Sequence, residues 1–218
     1  MSAREEILAS IRRELGDRRR PVPGPDRRTP LPGRPEGLGQ GTARLERFRH
    51  MLEAVGGEVH AVAGVDEARS VLRDLCSGAR QVALSNSPLV RELAAELDAE
   101  TFLATADRAR LLESDVGLSE AQYGIAETGT LCLVSDREHN REVSLVPPVH
   151  VAVLHADAVL PHLGDALEAT RGSAHGEPPP LITFVTGPSR TADIELSLVI
   201  GVHGPEALHV LLIESTPT

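Results

Sequence analysis

The run Ile182-Thr183-Phe184-Val185 leads into Thr186-Gly187-Pro188-Ser189-Arg190-Thr191-Ala192-Asp193-Ile194-Glu195. An apolar strand, a Gly-Pro turn, hydroxyl residues and a helix start point free backbone N–H groups at the carboxyl end of a sheet. Ser189, Arg190 and Thr191 add donors and a permanent positive charge suited to a phosphate or carboxylate. Asp193 and Glu195 fall in the first turn of the expected helix over Thr191–Leu198, where they also suit its dipole. The pattern fits an anion site, and it also fits a well-capped turn.

Three further segments carry polar groups among apolar strands. In Ala126-Glu127-Thr128-Gly129-Thr130 a carboxylate sits beside a tight Gly turn, where it can act as nucleophile or base, or remain solvated. Gly129 and Gly187 allow close backbone approach, and Thr128 and Thr130 flank the first of them. Arg141 stands among acids ahead of Ser144, Pro147 and Pro148; it suits either a carboxylate ligand or a surface ion pair. His150 opens a strand and reads as a structural histidine or a base. Gly201-Val202-His203-Gly204-Pro205 places His203 at the rim of a turn, with His209 six residues on. No third ligand follows at a fixed spacing, so no metal site is expected. His139, His155, His162 and His175 show no ligand spacing and read as surface residues. Cys132 lies in an apolar strand as a core thiol.

The elements that must position these groups alternate. Thr42 caps a helix carrying Leu45, Phe48, Leu52 and Val55, ended by Gly56-Gly57. Glu58–Ala63, Gln81–Leu84 and Thr101–Leu103 read as strands. Helices fall over Asp66–Cys76 and from Ser87-Pro88, a cap followed by a proline at the first helical position, to Leu97. Beyond them Val116–Ser119, Ile125–Thr128, Thr130–Ser135 and Val149–Leu154 read as strands with little room for helices. Ala158–Ala169 is an expected helix, and Leu208–Ile213 the last strand. This predicts an α/β fold, a three-layer α/β/α sandwich with a mostly parallel, mixed sheet. Three regions are expected: a helix over 1–16, a Pro/Gly/Arg-rich linker over 17–41 and the α/β domain over 42–218.

Composition excludes several functions. All 22 basic residues of the 218 are Arg, so Schiff-base lysines and P-loops are ruled out. Two Cys are too few for an ordinary iron–sulfur cluster, and aromatics at 2% leave no base-stacking surface. The net charge is −10, and residues 51–218 carry 10 Arg against 25 acids, which disfavours nucleic acid as a partner. Glu5 and Glu6 stand where a secretion signal would be basic, and no apolar run is long enough to span a membrane. A reduced, cytoplasmic protein is expected.

The Ala126–Thr130 segment, Arg141 with Ser144-Leu145, Pro148 and His150, the Gly187–Glu195 run and Gly201–Pro205 together resemble the lactate utilization protein C family. That family is the single-domain form of the LUD domain, and the resemblance spans roughly Thr42 to Glu214. It implies a fold similar to the sugar-phosphate isomerase and CoA-transferase group. It also implies one component of a system oxidising L-lactate to pyruvate, whose partner subunits carry the iron–sulfur clusters. This chain would bind no cofactor itself, and would bind an anionic small molecule or dock those partners.

On this reading Glu127 and Asp193 are the candidate catalytic carboxylates. Thr128, Gly129, Thr130, Arg141, His150, Gly187, Ser189, Arg190, Thr191, Glu195 and His203 are the candidate ligand-binding residues. A stand-alone enzyme acting on a phosphorylated or CoA-linked carboxylate through Glu127 is the alternative, and a regulatory sensor of lactate or a nucleotide is a third.

Overall fold

The computed structural model describes residues 3–15, 41–135, 141–171, 179–192, 198–200 and 203–214. In chain order these form α1 (Ala3–Leu15), α2 (Thr42–Ala54), β1 (Glu58–Val62), α3 (Val65–Leu75), β2 (Gln81–Leu84), α4 (Pro88–Ala94) and β3 (Glu100–Leu103). Next come α5 (Arg108–Leu112), β4 (Val116–Glu120), β5 (Tyr123–Ile125), β6 (Thr130–Val134), a 3-10 turn (Arg141–Ser144) and β7 (Val149–His155). A second 3-10 turn (Ala156–Ala158), β8 (Val159–Leu160), α6 (Leu163–Arg171), β9 (Ile182–Val185), β10 (Arg190–Ala192), β11 (Leu198–Ile200) and β12 (Ala207–Ile213) complete the chain. Contacts divide it into two units, Met1–Pro35 and Glu36–Thr218. The first contains α1, whose acidic Glu5 and Glu6 occupy the first turn, where they complement the helix dipole.

Six strands form one sheet in the order β1-β12-β7-β4-β2-β3. Every neighbouring pair in it is parallel. The central strands show the sequence signature of burial on both faces, a nearly unbroken apolar run. In β7, Val151 to Leu154 are all buried, and in β12 Val210 to Ile213 are. The expected α/β/α layering is present, with the antiparallel pairings in smaller sheets. One has the order β8-β5-β6-β9, and the other pairs β10 with β11.

Side-chain alternation along the strands sorts the core into two faces. On one face Val62, Val151, Val153, Leu211 and Ile213 pack under Ala68 and Leu72 of α3 and Val90 and Leu93 of α4. On the other, Ala152, Leu154, Leu208, Val210 and Leu212 meet Phe48 and Leu52 of α2, together with Leu131 and Leu133 of the second sheet. Each such fully buried Leu or Phe contributes about 1.5–3 kcal/mol through removal from water.

Local signals explain several boundaries. Ser87 caps α4, its hydroxyl accepting from Val90 N at 3.3 Å, with Pro88 beside it. Ser87 Oγ also donates to the Glu120 carboxylate at the end of β4. Asp107 caps α5, a short helix not anticipated from the sequence. The expected cap at Thr42 is corrected: Thr42 is already helical, and Gly41 holds the N-cap position at φ 60° without a side-chain cap.

The expected helix over Ala158–Ala169 is also corrected. Its first part is a 3-10 turn and β8, because Val159 and Leu160 pair with Gly124 and Ile125. Helix α6 starts after Pro161, where Asp165 accepts from His162 N at 3.1 Å.

The largest correction falls on the expected helix over Thr191–Leu198. Residues 190–192 are a strand, paired antiparallel with 198–200: Arg190 opposes Ile200, Thr191 opposes Val199 and Ala192 opposes Leu198. This antiparallel pairing stands where the acids suggested a helix start.

Candidate functional site

Two glycines at positive φ build the site, and both lie against the last turn of α2. Gly129 (φ 63°) closes the turn between β5 and β6, its N–H donating to Ile125 O at 2.9 Å. A Cβ there would collide with the Leu52 backbone nitrogen, so the close approach read from the sequence is to a helix backbone. Gly187 (φ 79°) is packed against Val55. Arg190 then donates through Nη2 to Val55 O at 2.7 Å. It thus binds a carbonyl at the negative end of the α2 dipole, where a cation is favoured.

Hydroxyls join the two turns. Thr128 Oγ1 and Thr130 Oγ1 are 2.7 Å apart, and Thr130 Oγ1 is 2.7 Å from Thr186 Oγ1. Ser189 N–H donates to Pro205 O at 2.8 Å, and Gly204 is packed against the Ser189 side chain. The cluster lies at the carboxyl end of β9. Relative to the six-stranded sheet, it lies at the amino-terminal edge, beside Gly56 ahead of β1 and Pro205 ahead of β12. With β10 in place of a helix, no helix N-terminus among the described residues points into it.

Glu127 extends the cluster at one side. Its carboxylate Oε2 is 3.2 Å from His162 Nδ1, with side-chain exposures of 34% and 14%. His162, read from the sequence as a surface residue, is therefore a partly buried partner. Only its contact across 35 residues reveals this.

His150 and Arg141 lie around a second feature. His150 is fully buried, with Nε2 2.8 Å from Ser119 Oγ. Burial lowers its pKa to about 4, so at neutral pH the ring is uncharged. Among the described residues, its Nδ1 meets no hydrogen-bonding partner. Ser119, Ser144, Thr183 and Arg141 line a cavity of about 10 Å³ between the two larger sheets, room for a single water. Ser119 was not singled out in the sequence. Its signal, a polar residue inside an apolar strand, becomes meaningful only once β4 lies beside β7.

The other expected residues distribute differently. Thr191 lies on β10 opposite Val199. Asp193 and Glu195 lie outside the described residues, as do His139 and His175. His203 is exposed. His209 approaches His60 of β1, with His60 Nε2 3.3 Å from His209 Nδ1. Cys132 and Cys76 are both buried, and burial pushes each thiol up to about 11. No helix among the described residues is long and apolar enough to cross a membrane.

A parallel sheet covered on both faces, with Gly turns gathered on one helix end, defines the class of α/β domain. Within that class, the LUD domain family model matches residues 45–213, and the chain belongs to this family. Among curated relatives, an uncharacterized protein of Neisseria meningitidis is 43% identical over 99 residues, covering 45% of this chain and 42% of that protein. Lactate utilization protein C of Halalkalibacterium halodurans is 38% identical over 104 residues, covering 47% and 45%. The protein of the same name from Oceanobacillus iheyensis is 28% identical over 153 residues, covering 68% and 65%. The chain thus spans about half to two thirds of the length of these relatives. A crystal structure of a DUF162 family protein from Deinococcus radiodurans shares the fold, with a TM-score of 0.61 at 22% identity, covering 78% of this chain and 96% of that one.

Proposed function

We propose that this chain serves L-lactate utilization as a non-redox component in the cytoplasm, binding an anionic small molecule beside iron–sulfur partner subunits. The relatives named lactate utilization protein C support the process. The observation that carries the binding role is the convergence of Gly129, Gly187 and Arg190 on the last turn of α2. A guanidinium has five N–H donors, and Val55 O takes one of Arg190's among the described residues. Arg190 is exposed, and the Thr128, Thr130 and Thr186 hydroxyls form a hydrogen-bonded chain between the two Gly turns. A carboxylate such as lactate or pyruvate suits those donors. The two buried thiols fit a division of labour in which partners carry the redox centres.

The test is deletion of the gene and growth on L-lactate as sole carbon source. Growth is expected to fail, and to return with the wild-type gene but poorly with Arg190→Ala. Undiminished growth of the deletion strain, with no second copy of the gene present, would refute the assignment.

A second reading rests on Glu127. A carboxylate one-third exposed and oriented by an imidazole at 3.2 Å has the placement of a nucleophile towards an acyl donor. Incubation with acyl-CoA donors and intact-mass spectrometry tests it. A mass increment lost in Glu127→Gln supports this reading; no increment with any donor rejects it.

A further inference from the structure

We propose that Glu58, His60 and His209 form a zinc-binding site at the amino-terminal edge of the six-stranded sheet. The site is separate from the cluster on α2. Strand alternation puts Glu58, His60 and Val62 on one face of β1, and Val62 belongs to the core under α3. His209 shares a face of β12 with Leu211 and Ile213, which pack in that same core. The α2 cluster occupies the opposite face.

The parallel register makes the grouping rigid. Glu58 pairs with His209, and His60 pairs with Leu211 two residues along. The three ligand atoms, Glu58 Oε2, His60 Nε2 and His209 Nδ1, all lie within 4.8 Å of one another. Two of the separations are 3.3 Å for His60 to His209 and 3.4 Å for Glu58 to His209. Metal–ligand bonds near 2.1 Å at a tetrahedral angle place ligand atoms about 3.4 Å apart. Two edges of the tetrahedron are therefore already set. The third closes by rotation of the Glu58 side chain, which is 66% exposed.

Protons alone do not satisfy this arrangement. When His209 is neutral, its Nδ1 carries at most one hydrogen. If it donates to Glu58, the His60 nitrogen can pair with it only by competing as a second acceptor. If it accepts from His60, the Glu58 carboxylate faces a lone pair. A cation at the centre satisfies all three lone pairs at once. Two imidazoles and a carboxylate form a donor set suited to zinc, with a fourth position left for water. The exposure of the Glu58 side chain keeps that position reachable from solvent.

The experiment uses the untagged full chain, stripped with EDTA and titrated with zinc against a chromophoric chelator. One equivalent is expected to bind, and cobalt(II) in its place should give the intense visible bands of a four-coordinate site. Glu58→Gln, at an exposed position, should weaken binding by at least about tenfold, since a direct ligand matters more than an outer-shell partner. The His60→Ala/His209→Ala double variant should lose the bound equivalent, with circular dichroism reporting its folding. Failure of the wild-type chain to bind zinc overturns the site. So does wild-type affinity in either variant.

Discussion

Ser119 and His150 form a buried hydroxyl–imidazole pair across β4 and β7, 2.8 Å from oxygen to Nε2. The folded-state pKa of His150, about 4, lies below the roughly 6.5 of an unfolded histidine. The unfolded chain therefore binds the extra proton between these values. Stability is full above about pH 6.5 and falls as pH drops towards 4, by about 3 kcal/mol from this group. Denaturant unfolding from pH 7 to pH 4 should show this decline, and His150→Gln should flatten it. Ser119→Ala should cost about 1–2 kcal/mol at pH 7, because it leaves Nε2 without its partner.

Gly129 and Gly78 both have positive φ, at 63° and 84°. A Cβ at Gly78 meets nothing within 4 Å, whereas one at Gly129 collides with the α2 backbone. Gly78→Ala should cost about 1 kcal/mol, from the backbone conformation alone. Gly129→Ala should cost several times more, with displacement of the β5–β6 turn from α2. Paired chemical denaturation curves measure the difference.

Arg190 has a structural bond and a proposed ligand role, and the two can be separated. Loss of the Val55 contact in Arg190→Ala should cost about 1 kcal/mol of stability. A thermal-shift series with lactate, pyruvate, sugar phosphates, nucleotides and CoA reads the second role. Any ligand bound through the guanidinium should lose its stabilising shift in Arg190→Ala. A shift that survives the substitution moves the site elsewhere.

Cys76 and Cys132 should resist alkylation in the native protein at pH 8, since burial raises both thiols to about 11 and shields them. Both should react at once in denaturant. Fast labelling of either under native conditions would contradict its packing.

Much of the fold was legible because the sequence carries its physics locally. The apolar runs of β7 and β12, the Ser87-Pro88 cap and the Gly129 turn depend on residues close in the chain. The pairing of β10 with β11 was misread because Thr191, Asp193 and Glu195 imitate a helix start, while the partners Val199 and Ile200 lie outside that window. The site was legible in its glycines and Arg190. Their shared platform on α2 was not, because Arg190 meets Val55 across 135 residues. His60 and His209 are 149 residues apart and meet only through the register of parallel strands. Neither spacing nor periodicity encodes such meetings.

The strand order has a consequence for synthesis. The last strand of this sheet in chain order, β12, belongs between β1 and β7 rather than at an edge. Until it leaves the ribosome, β1 has no neighbour in the sheet and β7 has one open side. The nascent domain therefore holds its main sheet incomplete until β12 is made, with apolar strand edges exposed to other chains. Truncation ahead of β12 would remove an interior strand, so such a product should aggregate rather than fold with a shortened edge.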